Sequence, residues 1–67
     1  MSKYEPLWKY VKEANVFPLT MSFKEIFDVL GFEIDHSFLN SKKETAEYGF
    51  AVKRISLKAQ FVIFDKL

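Results

Sequence analysis

Ser22-Phe23-Lys24-Glu25-Ile26-Phe27-Asp28-Val29-Leu30-Gly31 holds a helix start, an apolar face and a helix stop in one short run. Ser22 with Glu25 three residues on fits the capping box, in which each side chain satisfies the other residue's orphan backbone N–H. Phe23, Ile26, Phe27 and Leu30 then recur at i, i+3, i+4 and i+7, the spacing of a helix with one apolar face. Gly31 stands where a left-handed C-cap is expected. The stretch predicts a helix over Ser22–Leu30 whose four apolar residues face a core.

Upstream, Leu7, Val11 and Ala14 recur at helical spacing, flanked by Trp8 and Tyr10, so Tyr4–Ala14 reads as a first helix. Pro6 suits its first turn, where a missing N–H costs nothing, and Asn15 suits its end. Pro18 forbids a helix interior between the two helices. It leaves room for one very short strand at Leu19-Thr20-Met21, with the proline confined to an edge strand or to the strand's first residue.

Downstream, Asp35 and Ser37 both offer N-caps to a third helix reaching about Tyr48 and closed by Gly49. Ser41 and Glu44 form a second possible capping box, so a turn followed by a shorter helix is the alternative. Phe50–Leu57 and Gln60–Phe64 are rich in Phe, Val and Ile and read as strands around a turn at Lys58-Ala59. Phe50 and Val52 fall on one face of the first strand, while Ile55 and Leu57 fall on the other. A bulge near Lys53-Arg54 reconciles them. Ile55, Leu57, Phe61 and Ile63 are then expected to share the core with the helices.

Helix, short strand, helix, helix, strand, strand is the order of a winged helix. The expected fold is therefore α+β, a small winged-helix-like domain of three helices plus a C-terminal β-hairpin, with residues 1–67 as one domain. Tyr4-Glu5-Pro6-Leu7-Trp8, the middle stretch Gly31-Phe32-Glu33-Ile34-Asp35-His36-Ser37-Phe38-Leu39 and the Tyr48-Gly49 that precedes the hairpin resemble a family of short bacterial proteins carried as domains of unknown function. The resemblance spans nearly the whole chain. Longer members insert a Trp-containing stretch before the hairpin, which this chain lacks. What the resemblance implies is one compact domain in a bacterial cytoplasm, without an activity, cofactor or catalytic residue to carry over.

Composition narrows the possibilities further. The chain has 67 residues, no cysteine, and is 49% hydrophobic and 18% aromatic. It is too short for the larger nucleotide-binding or barrel scaffolds, and it has no thiols for disulfides or thiolate metal sites. Its aromatic content suits a small core without covalent staples, since each large ring buries roughly 150–250 Å². No apolar run approaches the roughly 20 residues of a membrane span and no signal-peptide pattern opens the chain, which predicts a soluble cytosolic domain.

Catalysis has little to work with. His36 is the only histidine, and Asp35-His36-Ser37 has the residue types of a triad, but consecutive residues cannot converge as a triad does. The helical neighbour of His36 four residues on is Asn40, so no i, i+4 metal-ligand pair exists there. Carboxylates such as Glu44 and Glu47 read as a solvated helix face. We therefore expect a non-enzyme without cofactor, metal or small-molecule substrate.

Binding is the better expectation. From residue 34 onward six cations oppose four acids, a balance of +2, whereas residues 1–33 carry four against five, a balance of −1. With the winged-helix order, this nominates Asn40, Lys42 and Lys43 on the third helix and Lys53, Arg54 and Lys58 on the wing as contacts to duplex DNA. The net charge of +1 is modest for that role, and one Arg is few for reading guanines. The alternative is a protein-interaction module or homodimer. Tyr4, Trp8, Tyr10 and Tyr48 would be its aromatic anchors, and the strand Gln60–Phe64 would be an edge open to a second copy.

Overall fold

The computed structural model describes residues 3–67. Helix α1 (Glu5–Ala14) carries Pro6 in its first turn and ends on Asn15 in the left-handed region, at φ 49°. After the cis Phe17–Pro18 peptide, strand β1 (Leu19–Ser22) runs straight into helix α2 (Phe23–Leu30). The capping box forms as the sequence implies. Ser22 Oγ accepts the Glu25 N–H at 3.0 Å, and Glu25 Oε1 accepts the Ser22 N–H at 2.9 Å. Gly31 ends the helix at φ 82°, a conformation that side chains with a Cβ rarely adopt.

The expected third helix divides in two. Helix α3 (His36–Ser41) begins at Asp35, whose carboxylate accepts the Ser37 N–H, and a 3-10 segment (Lys42–Tyr48) continues it to Gly49. The second capping box does not form: Ser41 makes no side-chain cap. Instead the Thr45 hydroxyl, buried to 1%, donates to the Lys42 carbonyl at 2.8 Å and tightens this turn.

Strands β2 (Phe50–Ser56) and β3 (Phe61–Lys66) make the expected hairpin, joined by a turn over residues 57–60. The hairpin is not the whole sheet. β1 pairs antiparallel with β3, giving a three-stranded sheet of order β1-β3-β2. The expectation of three helices plus a hairpin is thus short by one paired strand, and β3, read as an edge open to a second copy, is the central strand with both sides hydrogen-bonded. The bulge lies where the broken alternation requires it. Val52 pairs with Phe64 and Arg54 with Ile63, so Lys53 is the extra residue.

Parity along β3 is the reverse of that expected. Val62 and Phe64 are fully buried, and their cross-strand partners Met21, Leu19, Ile55 and Val52 line the same inner face. Phe61 and Ile63 point to the other face, beside Ser22, Ser56, Thr20 and Arg54. Leu57, expected inside, lies in the turn and is 74% exposed. On α2 only Ile26 is fully buried and Phe27 is 43% exposed, because this helix meets the core along a narrower edge than its apolar stripe covers.

Trp8 stands at the centre of the core. Its ring lies 5.7–6.5 Å from those of Phe38, Tyr4, Phe50 and Phe64, so it joins α1, α3 and both hairpin strands. Such tilted and edge-on ring pairs add roughly 0.5–1.5 kcal/mol beyond the area they bury. Tyr4 and Trp8, nominated as surface anchors, are both fully buried; Tyr48 is half-buried against Phe50, and only Tyr10 among the four is exposed.

Candidate nucleic-acid interface

Along α3 and the 3-10 segment, burial alternates with the helical turn. Phe38 and Thr45 point inward, whereas His36, Leu39, Asn40 and Lys43 form an exposed stripe at three- and four-residue spacing. Lys42 lies beside that stripe, also exposed. The other nominated residues, Lys53, Arg54 and Lys58, are exposed on β2 and the following turn. All six are therefore accessible, on two chain segments: the third helical stretch and the hairpin.

They differ in what already holds them. Lys53 lies 3.5 Å from Asp65 on the adjacent strand, an ion pair that spends its charge locally. Among the described residues, Lys42, Lys43, Arg54 and Lys58 take part in no ion pair. The acids of this half are mostly engaged. Asp65 holds Lys53, and Glu44, read from sequence as a solvated carboxylate, accepts the Trp8 indole N–H at 3.1 Å. Glu47 remains as an exposed carboxylate on the 3-10 segment. A buried indole N–H needs an acceptor, which the sequence implies; that the acceptor is Glu44 depends on the tertiary approach of two distant segments.

Asp35, His36 and Ser37 form a cap. Asp35 Oδ1 accepts the Ser37 hydroxyl at 2.6 Å and the Ser37 N–H at 2.9 Å. The Tyr4 hydroxyl lies 2.6 Å from Ser37 Oγ and 3.3 Å from the same Asp35 oxygen. With its own proton committed to Asp35, Ser37 accepts from Tyr4. The His36 side chain is exposed and hydrogen-bonds to neither neighbour. Among the described residues no group of three or more His, Asp or Glu side chains is placed to hold a metal. No helix among them is long and apolar enough to cross a membrane.

This cap makes stability depend on pH. The Ser37 hydroxyl first, then the Ser37 N–H, with smaller help from the Lys3 charge and the Tyr4 hydroxyl, hold the Asp35 carboxyl below its ordinary 3.8 against a small opposing effect of desolvation. A carboxyl with a lower value folded than unfolded stabilises the fold above its unfolded value. That contribution disappears as pH falls through the folded value. Thermal midpoints of the native chain and of Asp35→Asn are therefore expected to differ most at neutral pH and to converge below about pH 3.8. A gap that is constant from neutral to acid pH would show that the Asp35 charge is not what the cap uses.

Tyr4, Leu7, Trp8 and Phe38 are core, Phe32 and Ile34 pack against it, and Asp35 and Ser37 form the cap. Comparison with family models, with curated proteins and with solved structures finds no match for the chain.

Proposed function

We propose that this chain is a small winged-helix domain that binds duplex DNA mainly through its phosphates. The fold reading is supported by the element order together with the β1-β3-β2 sheet, in which the strand between the first two helices joins the hairpin. The observation that carries the binding reading is the charge arrangement. Lys42, Lys43, Arg54 and Lys58 are exposed and in no ion pair, while two of the four acids from residue 34 onward, Asp35 and Asp65, are paired with Lys3 and Lys53.

The chemistry favours positioning over base reading. Lysines contact phosphate oxygens as point charges and carry little sequence information. Asn40, on the exposed stripe of α3, is the residue suited to an adenine edge, and Arg54 is the one guanidinium available. Weak discrimination among sequences follows.

Fluorescence anisotropy with a mixed-sequence duplex tests the reading. Binding is expected at low salt, with log K falling against log salt at a slope of about −3.6 if four phosphates are neutralised, since each contributes about −0.9. A Lys42→Glu, Lys43→Glu, Arg54→Glu triple variant should lose binding while keeping the native thermal midpoint, because all three side chains are exposed. Absence of binding by the native chain at low salt would refute the proposal, as would a triple variant that binds normally.

A further inference from the structure

Beside α2 lies a cleft of about 520 Å³ lined by Phe23, Phe27 and Ile34 together with the exposed polar groups Lys24, Asp28 and Glu33. Clefts that hold compact ligands have this size and this mixture of apolar surface with a few charges. Phe27 is 43% exposed in it, an unusual position for a phenylalanine on an otherwise amphipathic helix. The two carboxylates take part in no ion pair among the described residues, so with Lys24 opposing them the lining carries a net charge of −1.

Gln60 also lines the cleft and is hydrogen-bonded to it, its carbonyl accepting the Phe23 N–H at 2.9 Å. Gln60 is the last residue of the β2–β3 turn, and that turn carries Leu57 and Lys58. Leu57 is 74% exposed and does not fold back over the neighbouring cleft, and Lys58 is unpaired. The turn that borders the cleft through Gln60 therefore also carries an apolar side chain followed by a cation, and the recess itself is flanked by two carboxylates. A patch with its own knob and its own hole is self-complementary, as a two-fold contact between identical subunits requires.

We infer that the occupant of this cleft is a second copy of the chain: each Leu57 enters the partner's recess at Phe27, and each Lys58 meets the partner's Asp28 and Glu33. The sheet edges are poorer routes to a dimer. β1 has four residues and follows Pro18, and β2 is bulged at Lys53 and carries Arg54, features that discourage strand addition. The contact does not use Asn40, Lys42, Lys43 or Arg54; it assigns Lys58 to the partner, so a dimer bound to DNA has three unpaired cations per chain and an expected slope of about −2.7 per chain.

Sedimentation velocity without nucleic acid, from about 10 µM to about 1 mM chain, is the test, a range that captures dimers of micromolar to millimolar dissociation constant. The native chain should pass from monomer to dimer across it. Leu57→Glu, at a position 74% exposed, should weaken association at least tenfold with an unchanged thermal midpoint, and Phe27→Glu should weaken it as much with a small drop in midpoint, since more than half of that ring is covered. Leu57→Ser serves the same purpose without adding charge. Lys58→Glu should weaken the dimer, and combining it with Asp28→Lys and Glu33→Lys should restore it. A native chain that remains monomeric throughout, or a dimer indifferent to both Leu57→Glu and Phe27→Glu, would overturn the inference. Neither outcome bears on the triple variant of the DNA test.

Discussion

Trp8→Ala is expected to remove half or more of the chain's stability at 25 °C. Truncating a fully buried Trp removes its transfer free energy and leaves a cavity, together costing about 3–5 kcal/mol. A chain of 67 residues has a total stability on the order of 3–10 kcal/mol. Two features push this site to the upper end. The four neighbouring rings come from the N-cap of α1, from α3, from β2 and from β3, so no single element can shift to fill the space. The Glu44 carboxylate also loses the indole N–H that it accepts. Trp8→Phe separates the two effects, keeping most of the volume and removing the hydrogen bond, and should cost less than half as much. Urea denaturation followed by far-ultraviolet circular dichroism measures both. A Trp8→Ala chain with a native-like midpoint would show that the core does not depend on this residue.

The second large effect distinguishes the two faces of β3. Val62→Asp places a carboxylate against Met21 and Ile55 on the inner face, where an unpaired ion costs several kcal/mol. This variant should not fold at neutral pH. Ile63→Asp, one residue along, points to the opposite face between Thr20 and Arg54, and should keep the fold with a modest loss. If the parity expected from sequence were correct, the outcomes would be reversed. Amide dispersion in a two-dimensional NMR spectrum of each variant gives the answer directly.

That comparison also marks where sequence stopped being informative. Phe61-Val62-Ile63-Phe64 is apolar at every position, so its alternation does not say which pair faces inward. The choice comes from the partners: Met21 and Leu19 on one side, Ile55 and Val52 on the other, are brought opposite Val62 and Phe64 by pairing. Helix α2 was fully legible in its ends, because the capping box and Gly31 act locally. Its inward face was legible only in part, since Phe27 belongs to the stripe by spacing yet lies outside the contact with the core. The bulge at Lys53 was legible because alternation breaks visibly along β2. The candidate interface had a similar split. Element order and charge balance nominate Asn40, Lys42, Lys43, Lys53, Arg54 and Lys58, but which of the cations a neighbouring acid pairs with is decided in space. Glu44 turns to Trp8, and Lys53 is held by Asp65.

The strand order has a consequence for how the molecule forms. β3 follows every other element in the chain, yet it lies between β1 and β2, and neither outer strand pairs with the other. Without β3 the sheet does not exist, Trp8 lacks the Phe64 ring, and the helices lack the Val62–Phe64 surface that completes their core. Contacts such as Trp8–Phe64 span most of the chain, so the entropy of closing a long loop is spent before the core returns any of it. We therefore expect a single cooperative unfolding transition without a separately stable helical portion, and fragments that lack β3 to expose the apolar faces of β1 and β2.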